Sequence, residues 1–206
     1  MLHARCTASL QERLETLPGD GLVADAVVCS THAICIASPP ERVWPWLMQM
    51  GAGRAGWYSH DWVDNGGAPS AQRIVPELQR LAPGDVLPVL PGTADGFVVS
   101  DVEAPRRLVL VWPGRGDGCT ASWAFVLRGA PRGDGTRLLV RTRLSREALR
   151  SGRSGGREPR AFVERMYRAL PHVPIPIVRA MAALGHGLMQ TKQLRGIKER
   201  AESRRA

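Results

Sequence analysis

The sequence predicts an α+β protein in which a curved antiparallel sheet lies against one long C-terminal helix. Three observations predict it. Val86–Val89, Gly96–Val102, Arg107–Trp112, Thr120–Leu127 and Arg137–Leu144 all read as strands, and EAPR, PGRGDG and GAPRGDG connect the later ones. Connections that short and that rich in turn residues make successive strands antiparallel. An earlier run, THAICI at Thr31–Ile36, alternates in the same way. Finally, Ile177, Met181, Leu184, Leu188, Thr191, Leu194 and Ile197 recur every three or four residues between about Ile177 and Arg200. That is the pattern of an amphipathic helix, and it is long enough to cover the apolar face of the sheet.

The remaining elements follow in order. Residues 1–25 read as an N-terminal arm, with two helical turns over Leu10–Leu17 ended by LPGDG. In SPPE, Ser38 is placed to cap a helix, Pro39 and Pro40 suit its first turn, and Glu41 occupies the capping-box position. Val43, Leu47 and Met50 share a face, and Gly51 ends the helix. Pro45 should bend or break it, because proline removes an internal hydrogen bond. Ala71–Leu81, with Pro76 inside, reads as a second, interrupted helix. RSGRSGGREP at 150–159 reads as a flexible basic loop within a single domain over 26–203, and Ala161–Leu170 is helical in pattern.

Charge is divided along the chain. From Arg141 onward there are 16 basic and 5 acidic residues, whereas the preceding part has a slight acidic excess. This basic third points either to peripheral contact with an anionic membrane surface or to solvated faces of terminal helices. No nucleic-acid motif accompanies it, so no specific nucleic-acid partner is expected. Cys6, Cys29, Cys35 and Cys119 show no metal-ligand or redox spacing, so no metal, no cofactor and reduced thiols in a cytoplasmic protein are expected. No signal peptide or membrane-spanning run is read in the sequence. The oligomeric state is open.

One short stretch stands apart. VWPWLMQMGAGRAGWYSHDWVDN, Val43–Asn65, concentrates Trp44, Trp46, Trp57, Tyr58 and Trp62 around three glycines and the charged Arg54, Asp61 and Asp64. Indole and phenol rings supply large rigid surfaces with a polar handle. Trp44 and Trp46 read first as packing anchors. For Trp57, Tyr58 and Trp62, packing and ligand contact stay equally open. Asp61 with Arg54 or Arg73 reads more readily as an ion pair, and the string GAGRAG follows a helix and not a strand, which excludes a nucleotide loop.

The element order and the strings THAICIASPPERVWPWLMQMG, GRAGWYSHDWVDN, PSAQRIVPELQRLAPGD, GFVVSDVEAPRRLVLVW, SWAFVL, TRLLVRTRL and GHGLMQTKQLRGIKERAE resemble the START/Bet v1-like superfamily (SRPBCC, polyketide cyclase/dehydrase-like). The resemblance covers most of 17–203 and is nearest to an uncharacterised bacterial branch. It implies a helix-grip fold with a cavity between sheet and C-terminal helix. It also implies a small hydrophobic or amphipathic ligand there: a lipid, a polyketide or an isoprenoid-like molecule. Arg54, Trp57, Tyr58, Asp61, Trp62 and Asn65 would then lie near the mouth, with Trp112 and Trp123 facing in from the sheet and His186 from the helix. The alternative within the same fold is a cofactor-free cyclase, aromatase or dehydratase using His60, Asp61 or Tyr58 as acid or base. The branch supplies no established catalytic residue.

Overall fold

The computed structural model describes residues 6–93, 95–114, 118–131, 133–150 and 175–203; the side chains of 149–150 and 175–186 are outside that description. The alternating runs become six strands: β1 (Ala26–Ile36), β2 (Val86–Pro88), β3 (Gly96–Glu103), β4 (Arg107–Pro113), β5 (Cys119–Gly129) and β6 (Thr136–Ser145). They form one antiparallel sheet in the order β1-β6-β5-β4-β3-β2. Among the described residues the α-helices are α1 (Leu10–Leu14), α2 (Pro40–Met48), α3 (Asp61–Asp64), α4 (Arg146–Arg150) and α5 (Ile175–Glu202).

The period-two pattern of the strands gives the sheet two different faces. Ile34, Leu138, Val140, Phe125, Leu108 and Leu110 join α2 and the Leu194, Ile197 and Ala201 face of α5 in the main core. On the opposite face Ala33, Leu139 and Val126 pack with Ala8 and Leu17 of the N-terminal segment in a second, smaller cluster. The register places Ala33 against Leu139, and Leu139 against Val126, so one row of side chains runs across three strands.

The N-terminal segment is fastened to this second face by ion pairs. Ser9 and Glu12 close a capping box on α1. The Glu12 carboxylate also accepts from Arg137 Nε and Nη2 at 2.7 and 2.8 Å, which holds its carboxyl at about 2, well below the usual carboxylate range. Arg128 pairs with Glu15 at 2.8 Å. The centre of the arrangement is Arg141, only 3% exposed. Its Nε donates to Thr31 Oγ1 at 3.0 Å, its Nη1 to the Glu15 carbonyl and Asp20 Oδ2 at 2.7 Å each, and its Nη2 to the Glu12 and Arg13 carbonyls at 2.7 and 3.0 Å. A guanidinium has five N–H donors, and here all five are matched. Three of the acceptors are carbonyls at the C-terminal end of α1, where a cation is favoured.

Four local expectations are corrected. Ser38 does not cap α2; its Oγ donates to the Ala201 carbonyl at 2.8 Å, which ties the strand end to the end of α5, and Pro39 takes the N-cap position. Pro45 lies inside an unbroken α2, because tertiary packing holds the helix: Val43, Trp44, Trp46, Leu47 and Met48 are all buried. The expected helix at 71–81 reduces to a 3-10 turn at Pro76–Leu78. Gln49 holds the chain before it extended, donating to the Arg73 carbonyl at 3.3 Å and accepting from the Val75 N–H at 3.0 Å. On α5 the apolar stripe includes Leu194 and Ile197, but Leu188 is 70% exposed while Gln190 and Gln193 are buried. The helix expected at Ala161–Leu170, and the basic loop beyond Arg150, lie outside the described residues.

Replacing Arg141 by Gln leaves buried carbonyls unmatched and Asp20 with only the more distant Arg143, at 4.0 Å. We expect a loss of about 3 kcal/mol in unfolding free energy, read by denaturant titration. Limited proteolysis should then cut first within residues 6–22; an unchanged midpoint and cleavage pattern would contradict this role of Arg141.

Candidate functional site

Residues 49–70 form a tight double loop between α2 and the edge of the sheet. Gly51 and Gly56 exchange backbone hydrogen bonds at 3.2 and 3.0 Å. Gly56 has φ +79°, and a Cβ there would meet Ser70 Oγ at 2.2 Å, so the position requires glycine. Tyr58 is the one non-glycine residue with positive φ among the described residues, at 58°. Three contacts hold it: its N–H donates to Ser70 Oγ at 3.2 Å, its hydroxyl donates to the Trp46 carbonyl at 3.0 Å, and the Arg200 guanidinium lies 4.7 Å from its ring centroid. Burial pushes its phenol well above the usual tyrosine range.

Arg54, Asp61 and Asn65 are engaged chiefly with nearby backbone. Arg54 donates to the Met50, Met48 and Leu78 carbonyls at 2.9, 3.0 and 3.3 Å, capping the end of α2. Asp61 accepts from the Ser70 N–H at 3.0 Å and from Ser70 Oγ at 2.5 Å. Asn65 accepts from the Gly53 N–H at 3.4 Å and donates to the Ala68 carbonyl at 2.7 Å. His60 is exposed and precedes α3, and Trp62 is 79% exposed. His60 is not among the residues that line a groove with Tyr58 and Asp61. Asp61 and Tyr58 do share a polar groove of about 290 Å³ with Lys192, Glu199 and Arg200 of α5. The side chain of His186 is outside the described residues.

The aromatic residues do come together. Trp57 stacks on Trp123 with ring centroids 5.3 Å apart and planes 27° apart. Phe97 lies 5.2 Å from Trp123 and meets Trp112 edge-on at 5.4 Å, and Trp123 lies 5.0 Å from Phe125. The five rings make a continuous wall in which Trp57 and Phe125 are buried while Phe97, Trp112 and Trp123 keep part of their surface accessible. At the Trp57–Trp123 stack the rings themselves fill the space.

A short polar chain borders this wall. Trp123 Nε1 donates to Gln190 Oε1 at 3.0 Å, Gln190 Nε2 donates to Gln193 Oε1 at 2.7 Å, and Gln193 Nε2 lies 3.8 Å from Met50 Sδ. Phe97, Gln190, Gln193 and Arg200 are not among the residues that the sequence singles out. The sequence signal for the two glutamines is their spacing, which places them one turn before Leu194 and Ile197 on the buried side of α5.

No family profile and no curated protein sequence matches the chain. Solved structures do. The polyketide-cyclase-like protein Cgl2372 from Corynebacterium glutamicum is 16% identical, with a TM-score of 0.42 over 82% of this chain and 88% of its own. CalU16 from Micromonospora echinospora is 17% identical, with a TM-score of 0.34 over 84% of this chain and 85% of its own. The protein Ms6760 from Mycobacterium smegmatis is 12% identical, with a TM-score of 0.40 over 83% and 88%. Strand order, antiparallel pairing and the docked C-terminal helix decide the assignment. The fold is an α+β helix grip.

Within this helix grip a buried carboxylate is poorly satisfied. Asp64 is 7% exposed, and neither of its carboxylate oxygens has a well-formed hydrogen bond among the described residues; weak approaches of the Asp64 and His60 backbone only partly offset its burial. Burial, reinforced by the neighbouring Asp61 carboxylate, pushes its carboxyl up to about 6. A raised carboxyl pKa means that the folded state binds the proton more tightly than the unfolded one. The group's contribution is therefore fully present below about pH 4 and is lost as pH rises through about 6. Asp64→Asn should raise stability at pH 8 by about 2 kcal/mol and change it little at pH 4. Equal effects at the two pH values in thermal unfolding would show that folding does not raise the Asp64 carboxyl, and a loss of stability at pH 8 would show that it is paired as an anion.

Proposed function

We propose that this protein binds a small apolar or amphipathic molecule against the aromatic wall, between the sheet and α5. The observation that carries the reading is the partial exposure of Phe97, Trp112 and Trp123 on a wall otherwise packed into the core. Large rings left accessible beside a buried amide pair are the ingredients of a ligand pocket, which is mostly apolar with a few oriented polar groups. The rings supply contact area, worth about 25 cal/mol per Å² removed from water. The Trp123–Gln190–Gln193 chain supplies the orienting group, since an amide can exchange its partner for a ligand hydroxyl or carbonyl. A lipid, an isoprenoid or a polyketide would fit these terms.

The cyclase or dehydratase reading has less support. Such chemistry needs an acid or base with a proton to give or take near neutral pH. Tyr58 is held protonated and bonded to the Trp46 carbonyl, and Asp61 is bonded twice to Ser70. His60 is exposed.

The test is a fluorescence titration with the neutral probe N-phenyl-1-naphthylamine. Removing a ring by Phe97→Ala or Trp112→Ala should cost about 1.5 kcal/mol of probe binding, roughly tenfold in affinity. Leu14→Ser, at an exposed position on α1, should leave it unchanged. Equal affinity in the wild type and both ring variants would overturn the proposal. Native mass spectrometry of the freshly purified protein would identify a co-purifying ligand.

A further inference from the structure

A second cavity, of about 440 Å³, opens where the N-terminal segment, β1 and α5 meet. Arg13 of α1 and Arg195 of α5 both line it, together with Thr7, Thr31 and Thr191. Among the described residues no aspartate or glutamate lines it. We propose that this cavity binds a phosphate monoester.

The argument starts from how the surrounding charges are used. On the N-terminal segment every described carboxylate except that of Asp25 pairs with an arginine of the sheet: Glu12 with Arg137, Glu15 with Arg128 and Asp20 with Arg141. Arg13 and Arg195 are in no ion pair among the described residues. Arg13 makes one long bond, from Nε to the Ser9 carbonyl at 3.4 Å, and Arg195 lies beside the Cys6 thiol. Two guanidiniums from distant parts of the chain thus line one cavity with no carboxylate beside them among the described residues. A like-charged pair of this kind raises the energy of the empty site and is relieved by an anion between them.

The donor set favours phosphate over a single carboxylate. Two planar guanidinium forks in one lining suit a dianion with three or more acceptor oxygens. Thr31 Oγ1 already accepts from Arg141 Nε, so its hydroxyl hydrogen is left to donate. His32 is committed elsewhere. Its Nε2 lies 3.0 Å from Ser30 Oγ, and the ring is also engaged with the Cys6 backbone, which fastens the N-terminal segment to β1. The volume exceeds that of bare phosphate, which leaves room for the organic part of an ester.

Thermal shift and calorimetric titrations at constant ionic strength test the site with phenyl phosphate, inorganic phosphate, and phosphatidylcholine vesicles with and without phosphatidate. Saturable stabilisation by phenyl phosphate is expected, with apparent affinity weakened about tenfold in both Arg13→Gln and Arg195→Gln. Arg106→Gln, at an exposed turn position, should bind as the wild type does. Binding of the soluble ester assigns a soluble metabolite; binding confined to phosphatidate vesicles, and weakened in the same two variants, assigns a lipid head group. Both arginines are exposed, so the variants should keep the parent melting temperature without ligand. The proposal is overturned if neither phenyl phosphate at about 10 mM nor phosphatidate vesicles bind. It is equally overturned if Arg106→Gln weakens binding as much as Arg195→Gln.

Discussion

The seat of α5 depends on one close approach. A Cβ at Gly196 would stand 2.4 Å from the Tyr58 carbonyl oxygen and 3.0 Å from Tyr58 Cβ, so the helix backbone rests directly on the loop. One turn later Arg200 locks the contact, with its guanidinium over the Tyr58 ring and its Nε donating to the Ala71 carbonyl at 2.8 Å. Tyr58 can serve as the support because its positive φ turns the backbone under the helix and its hydroxyl anchors it to α2. Gln193 and Gln190 lie on the same side of α5, one and two turns earlier. The contact that locates Gly196 therefore also determines where their amides meet Trp123.

The same economy of position explains why a sheet can be buried on both faces with so many arginines in it. Inward positions of β4, β5 and β6 carry aliphatic and aromatic side chains against α2 and α5. Outward positions of β6 carry Arg137 and Arg141, whose stems pack while their heads reach the N-terminal segment. That segment brings Glu12, Glu15, Asp20 and the carbonyls of α1. It therefore covers the outer face with charge matched to charge and adds only a small apolar cluster of its own. Part of the basic excess from Arg141 onward is thereby internal: Arg141 is buried and Arg143 lies 4.0 Å from Asp20.

The strands are legible because a half-buried strand writes its two faces into every second residue, and all six runs appear as strands within the sheet. The loop at 49–70 is harder to read. Arg54, Asp61 and Asn65 stand among aromatic residues in a way that suggests ligand contacts, yet each meets the backbone of a glycine-rich turn. A chain that folds back twice within about twenty residues leaves carbonyls and N–H groups without ladder partners, and nearby polar side chains satisfy them. Composition alone does not separate that role from recognition. The buried glutamines escape notice for the opposite reason. Periodicity assigns amides to the wet side of a helix, whereas the indole N–H of Trp123 needs an acceptor inside. Leu188 is displaced to the exposed side as a result.

Both candidate ligand sites draw on neighbouring residues of α5. Gln190 and Gln193 face the aromatic wall, while Thr191 and Arg195 line the cavity beneath the N-terminal segment. Residues one and two positions apart on a helix point in different directions, so this segment presents one side to each site. A helix moves as a rigid element over such a short span, and a shift that widens the space at Trp123 would also change the span between Arg195 and Arg13. The resistance to that shift is the Gly196–Tyr58 contact, one residue beyond Arg195. This stretch of α5 is held by the Tyr58 loop at Gly196 and by the N-terminal segment at Thr191, where Cys6 Sγ approaches the carbonyl at 3.9 Å.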